Sequence, residues 1–157
     1  MRPATPDDLQ EIGDLITELA EYEGLRDAVS FQPSELSRWL FGPDPAARVA
    51  IAEVSQPDGT AAVVGFALWF RTFSTFLGRP GIWLEDLFVR PPYRRQGLGR
   101  ELLDHVRGLT DGRLEWSVLD WNAPALGFYR RLGAAALETW TLHRLTGEAL
   151  RTLAATR

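Results

Sequence analysis

Three strand-like runs follow one another between residues 48 and 89 with no helix between them, and nothing else in the chain constrains its fold so much. RVAIAEV (48–54), AVVGFALWF (62–70) and IWLEDLFV (82–89) are rich in the β-branched and aromatic residues that suit a pleated, half-buried surface. Pro57-Asp58-Gly59 supplies a turn between the first two, and Thr72–Gly81 reads as a loop before the third. Strands joined this directly pair antiparallel. Beyond residue 89 the period changes. Leu98, Leu102, Leu103, Val106 and Leu109 recur at helical spacing. LEWSVLD (114–120) then reads as a strand, APALGFYRRL (123–132) as a helix closed by Gly133, and ALETWTLHRL (136–145) as a last strand. The strand–helix–strand step implies a parallel crossover. The expected fold is therefore α/β, with a mixed, mostly antiparallel central sheet flanked by helices.

Two helices precede the sheet. Thr5-Pro6 has the form of an N-cap followed by proline at the first helical position. From there to about Glu23, Leu9, Ile12, Ile16 and Leu19 make a buried stripe. Asp7, Glu11, Asp14, Glu18 and Glu21 make an acidic stripe, read as a solvated face that ends at Glu21-Tyr22-Glu23. PSELSRWLF from Pro33 is a second short helix, a stub of strand can precede Thr5, and TGEALRTLAA (146–155) is a short terminal helix. No repeat or linker divides the 157 residues, so residues 1–157 are expected to form a single domain.

The net charge of −4 argues against a nucleic-acid partner. No apolar run is long enough for a membrane span, and no secretory leader is visible, so a cytoplasmic location is expected. The absence of cysteine removes disulfides, thiol nucleophiles and thiolate metal sites. His105 and His143 read as structural, and no metal is expected. All 17 basic residues are arginine, so a lysine-bearing phosphate loop of the Gly-Lys-Ser/Thr kind is excluded.

One segment stands out chemically. The strand ending LFV runs into RPPYRRQGLGREL, where Arg94, Arg95 and Arg100 surround Gly97 and Gly99 just as a helix begins near Leu98. The first N–H groups of a helix are unpaired and carry the positive end of its dipole. Glycines let a ligand approach the backbone, and guanidinium forks suit phosphate oxygens. The loop therefore reads as a diphosphate site. It is not a dinucleotide fingerprint, because Leu102 takes the place of the third glycine. The alternative is a glycine-bearing turn with exposed arginines.

Arg94-x-x-Gly97-x-Gly99 after that strand resembles the acetyl-CoA pyrophosphate loop of the GNAT superfamily of N-acetyltransferases. WLEDLFVRPPYRRQGLGRELL and LDWNAPALGFYRRLGA, with RPAT, LITELAEYE and VVGFALWF, resemble its diamine (spermidine/spermine) N-acetyltransferase branch. The resemblance implies a central sheet of the GNAT acyltransferase type, acetyl-CoA as co-substrate, a small-molecule amine as acceptor, and a homodimer. It places the backbone of Leu87, Phe88 and Val89 on the pantetheine arm, and Arg94, Arg95, Gln96, Gly97, Leu98, Gly99 and Arg100 on the pyrophosphate. Asn122, Ala125 and Tyr129 complete the cofactor contacts. Asn122 also reads as the N-cap of the helix that follows.

The implied chemistry asks for two proton carriers. An alkyl ammonium with a pKa near ~10.4 must lose a proton before it attacks, at a cost of roughly 4–5 kcal/mol at pH 7. Glu85 occupies the family position for the base, and a buried salt bridge is its alternative reading. Asp86 faces the other way in a regular strand, but a bulge, common at this point in the family, would bring it into play. Tyr129 matches the family's acid for the departing thiolate, and aromatic packing is its alternative. Tyr22, Glu23, Glu85 and Asp86, with Glu115 and Trp116, are the residues expected to meet the amine, and Asp120 and Glu138 are possible additions. The strand bearing Glu115 and Trp116 departs from the branch pattern, so a polyamine, another small diamine and a lysine-like amino acid all stay open. Acetylation of a protein N-terminus or side chain, and a non-catalytic acyl-CoA sensor, are the competing functions.

Overall fold

A computed structural model describes residues 1–155 of the chain. Five strands form one sheet in the order β1 (Arg2–Pro3), β2 (Arg48–Ser55), β3 (Ala61–Ser74), β4 (Arg79–Val89) and β5 (Leu114–Glu115). The first four are antiparallel, and β5 runs parallel to β4. Helices α1 (Leu9–Tyr22) and α2 (Pro33–Phe41) precede β2, and α3 (Leu98–Arg107) joins β4 to β5. The chain divides into two compact units, Met1–Ser117 and Val118–Arg157. The sheet belongs to the first unit. Helices α4 (Ala123–Arg131) and α5 (Gly147–Ala155) belong to the second.

Each face of the sheet buries a different layer. Ile12 and Leu15 of α1 and Leu40 of α2 meet Val49, Ile51, Phe66, Leu68 and Phe88 in one core cluster. Each such side chain withdrawn from water stabilises the fold by about 1.5–3 kcal/mol. On the opposite face α3 packs against β3 and β4 through the fully buried Leu102 and Val106. His105 lies edge-on to Trp69 there, with ring centroids 5.9 Å apart. The entry to α1 is tied by charge. Arg2 bridges Asp8 at 2.7 Å and Glu53 at 2.8 Å, and the Thr5 N–H donates to Asp8 at 2.7 Å. The Arg2 guanidinium, despite the burial that opposes it, brings the Asp8 carboxyl down to about 2.

Three expectations fail. The loop over Thr72–Gly81 is a hairpin: β3 continues to Ser74, β4 starts at Arg79, and the Gly78 N–H returns to the Ser74 carbonyl at 2.8 Å. Gly78 takes a φ of 63° there, which glycine adopts without steric cost. The strand over 114–120 shrinks to Leu114–Glu115, paired with Ile82 and Trp83 alone. The strand over 136–145 is not formed, and Glu138–Thr139 is a turn. Both failures have one cause. Strand-like composition yields a strand only where backbone groups find a partner. Among the described residues no strand flanks β5 on its outer side. The apolar residues of the last segment, Leu137, Trp140, Leu142 and Leu145, are exposed. No described helix is long and apolar enough to cross a membrane.

Candidate active site

The site grows from a bulge. Leu84 pairs with Trp69 and Asp86 with Leu68, so Glu85 has no partner residue on β3. The extra residue changes the phase of the strand. Leu84 faces the α3 layer with Trp69, while Asp86 joins Leu68 and Phe88 on the face covered by α1. Glu85 is exposed and accepts the Trp83 indole N–H at 2.8 Å. The alternative reading of Glu85 as a buried salt bridge therefore fails: the residue is exposed at the bulge.

Asp86 is half-buried instead. Desolvation, with smaller contributions from the charges of Glu85 and Glu23, pushes its carboxyl up from 3.8 to about 7. Burial also raises Glu23, which follows the last residue of α1. Glu23, Glu85 and Asp86 thus form one acidic cluster. Glu115 lies at the end of β5, where Arg113 Nε holds its carboxylate at 2.5 Å, and half-buried Trp116 follows it.

Beyond Trp83 no strand among the described residues pairs with the edge of β4 that faces away from β3, because β5 pairs no further. The Arg90 N–H binds the Val64 carbonyl of β3 at 2.9 Å. Strand alternation then turns the peptide groups of Phe88 toward β3 and those of Leu87 and Val89 to the open edge. The Val89 carbonyl is taken by Arg94 Nε at 2.7 Å. The N–H and C=O of Leu87 point outward, an arrangement an extended, amide-bearing ligand can pair with as an added strand.

The arginine–glycine loop leads from this edge into α3. Gly97 is the N-cap, with φ 91°, and Arg95 has φ 64°. A non-glycine residue held in the left-handed region stores on the order of 1–3 kcal/mol, and such strain gathers at ligand sites. Leu98 and Gly99 open the helix, so their N–H groups have no intrahelical acceptor. Arg95, Gln96 and Arg100 are exposed around them, and Arg100 makes a loose pair with Asp104 at 3.5 Å. Arg94 departs from the expected fork. It is half-buried, its guanidinium 4.8 Å from the Tyr22 ring centroid and 5.5 Å from that of Phe88.

Asn122, Ala125 and Tyr129 lie in the second unit. Asn122 is buried, and its side chain caps α4 by accepting the Ala125 N–H at 3.2 Å. Tyr129 is half-buried on α4, and its ring meets that of Phe128 edge-on with centroids 5.2 Å apart. Asp120 and Glu138 are exposed.

Sequence reasoning missed Arg90. Its guanidinium reaches Glu11 at 2.6 Å, Glu18 at 2.7 Å and the Val63 carbonyl at 2.7 Å. The acidic stripe of α1 is therefore not simply solvated: Glu11 and Glu18 clamp the helix to the end of β4, and so hold Tyr22 and Glu23 near Asp86. The available signal was an arginine placed directly after an apolar strand, opposite acids spaced seven apart. No group of three or more metal-ligating side chains is found among the described residues.

A sequence model described as the acetyltransferase (GNAT) family matches residues 14–134. A thialysine N-epsilon-acetyltransferase of Bos taurus is 40% identical, over 98% of this chain and 96% of that protein. An L-ornithine N5-acetyltransferase of Arabidopsis thaliana is 34% identical, over 98% of this chain and 86% of its own length. Among solved structures, an integron cassette protein of V. cholerae superposes with a TM-score of 0.76 at 23% identity, covering 99% of this chain and 96% of that one.

Proposed function

Since this chain belongs to the GNAT family of acetyltransferases, we propose that it moves the acetyl group of acetyl-CoA onto a primary amine of a small diamine, a polyamine or a lysine-like amino acid. The observation that carries the choice of acceptor is the acidic cluster of Glu23, Glu85 and Asp86. Carboxylates in a partly desolvated site select cations. Relatives named for ornithine, thialysine and spermidine/spermine support the same acceptor class.

The three acids divide the work. A carboxylate beside an ammonium raises its pKa and opposes the deprotonation that attack requires. Asp86 escapes this conflict, because a group near 7 both accepts a proton and releases it at working pH. It is the preferred base, and Glu85 is the second candidate. Exposed Glu85 and half-buried Glu23 are suited to the distal charge of the acceptor, with Tyr22 beside them. Glu115 and Trp116 are the outer candidates. On the donor side, the outward C=O of Leu87 suits a pantetheine amide N–H, and its N–H suits the developing oxyanion. The free N–H groups of the α3 start, with Arg95, Gln96 and Arg100, suit the diphosphate. Asn122 and Ala125 are the further candidate contacts for the donor.

Tyr129 is proposed as the acid for the departing thiolate, on its motif. A phenol near ~10 and a thiol near ~8.5 are matched closely enough for proton transfer. Tyr129→Phe is expected to lower kcat by about a hundredfold or more with KM for acetyl-CoA little changed. Steady-state kinetics reads this, and a matching rise in that KM instead would make Tyr129 a binding residue.

Free-thiol release from acetyl-CoA over a panel of putrescine, spermidine, lysine, ornithine and thialysine tests the whole reading. Stimulation by one or more of these is expected. Release with peptide N-termini alone would assign the chain to protein acetylation, and binding without release under any amine would make it an acyl-CoA sensor.

A further inference from the structure

We propose that Arg94 is a positioning residue for the amine side of the site and not a ligand of the diphosphate. The first arginine of the loop differs from its neighbours in what it touches. Arg95 and Arg100 project into solvent, whereas Arg94 is half-buried. Its Nε donates to the Val89 carbonyl at 2.7 Å, and its guanidinium carbon lies over the rings of Tyr22 and Phe88, 4.8 Å and 5.5 Å from their centroids. One side chain therefore joins three elements: the loop that carries it, the open edge of β4, and the last residue of α1.

The chemistry of these contacts fixes the role. A guanidinium is a rigid plate attracted to aromatic faces, and the directional bond from Nε restrains it. It holds Tyr22 in place, and Glu23 follows Tyr22 directly. Glu23 in turn is one of the charges felt by Asp86. The guanidinium spends its charge on a carbonyl and two ring faces, leaving the acidic cluster unneutralised and able to select a cation. The loop and the acceptor pocket are thereby mechanically joined through one residue.

This rests on the acetyl-transfer reading, and the test keeps the two apart. Arg94→Met, Arg95→Met, Tyr22→Leu and Tyr22→Phe are compared with acetyl-CoA and with acetyl-pantetheine, which lacks the diphosphate. Arg94→Met is expected to raise KM for the amine about tenfold with either donor, and to change calorimetric affinity for acetyl-CoA by less than about threefold. Tyr22→Leu should reproduce the amine effect, Tyr22→Phe should lose less than Tyr22→Leu because the ring face persists, and the Arg94→Met/Tyr22→Leu pair should be markedly less than additive. Arg95→Met should show the converse, weakened acetyl-CoA with acetyl-pantetheine unaffected. A loss in Arg94→Met confined to acetyl-CoA would return the residue to the phosphate and overturn the proposal. Amide hydrogen exchange over residues 19–23 decides independently of turnover. Faster exchange in Arg94→Met supports the positioning role even where no amine is acetylated, and unchanged exchange there refutes it.

Discussion

Asp86→Asn is expected to lower amine acetylation by about 10²–10⁴-fold and, in the same protein, to stabilise the fold above pH 7. The two effects share one origin. The carboxyl titrates at about 7 in the folded chain, against 3.8 ordinarily, because burial disfavours its charge. Folding therefore takes up a proton between about pH 4 and 7. The contribution of Asp86 to stability is fully present below its unfolded pKa and is lost as pH rises through 7. Above that point the half-buried carboxylate costs roughly 4 kcal/mol at about 1.36 kcal/mol per pH unit, and structural relaxation lowers this to about 2–4 kcal/mol. Asparagine keeps the shape without the charge. Urea denaturation at pH 5 and pH 8 should show a gain at the higher pH only. In the wild type, kcat/KM for the amine should rise through about pH 7 as Asp86 loses its proton. If Asp86→Asn kept its turnover while Glu85→Gln lost it, the base would be the bulge residue and not its neighbour.

Arg90→Ala is expected to destabilise the fold by about 2–3 kcal/mol and lower Tm by about 6–9 °C. One guanidinium satisfies Glu11, Glu18 and the Val63 carbonyl, and loss of a partly buried ion-pair partner leaves charges uncompensated. The effect stays below the largest such losses because both glutamates keep about a third of their side chains in water, 36% and 35% exposed, and can be rehydrated. Arg90→Lys should recover only part of the loss, since a single ammonium cannot reproduce the fork. Loosening α1 also frees the Tyr22–Glu23 end, so KM for the amine should rise while KM for acetyl-CoA moves less. Thermal melts with paired kinetics check both, and equal shifts in the two KM values would point to general unfolding.

What the sequence made legible was local. The change of period around Val89–Leu98 marked the junction of β4, loop and α3, and the glycines marked where that loop turns. The stripe of Ile12, Ile16 and Leu19 identified the face of α1 that meets the sheet, although it left out the fully buried Leu15. What stayed hidden depended on pairing across distance. A bulge near Glu85 was implied by the family resemblance, but its exact place follows from how Leu68 and Trp69 meet β4, which no local residue pattern announces. LEWSVLD and ALETWTLHRL have strand composition, yet strand formation depends on a neighbour the composition does not name. Arg90 and Glu18 are 72 residues apart, so the clamp was invisible in a local window, and the acids of α1 read as an ordinary wet surface. Arg94 was assigned by its motif to phosphate, but its direction depends on where the Tyr22 ring ends up.

The bulge carries a consequence for how such a protein diversifies. Leu84 and Asp86 are already in register with consecutive residues of the neighbouring strand. An in-frame loss of the Glu85 codon would close the ladder and leave both packed layers as they are. It would remove one negative charge and straighten the strand. On the acetyl-transfer reading, that single three-nucleotide event is expected to weaken the preference for acceptors with a distal positive charge while the hydrophobic interior stays unchanged.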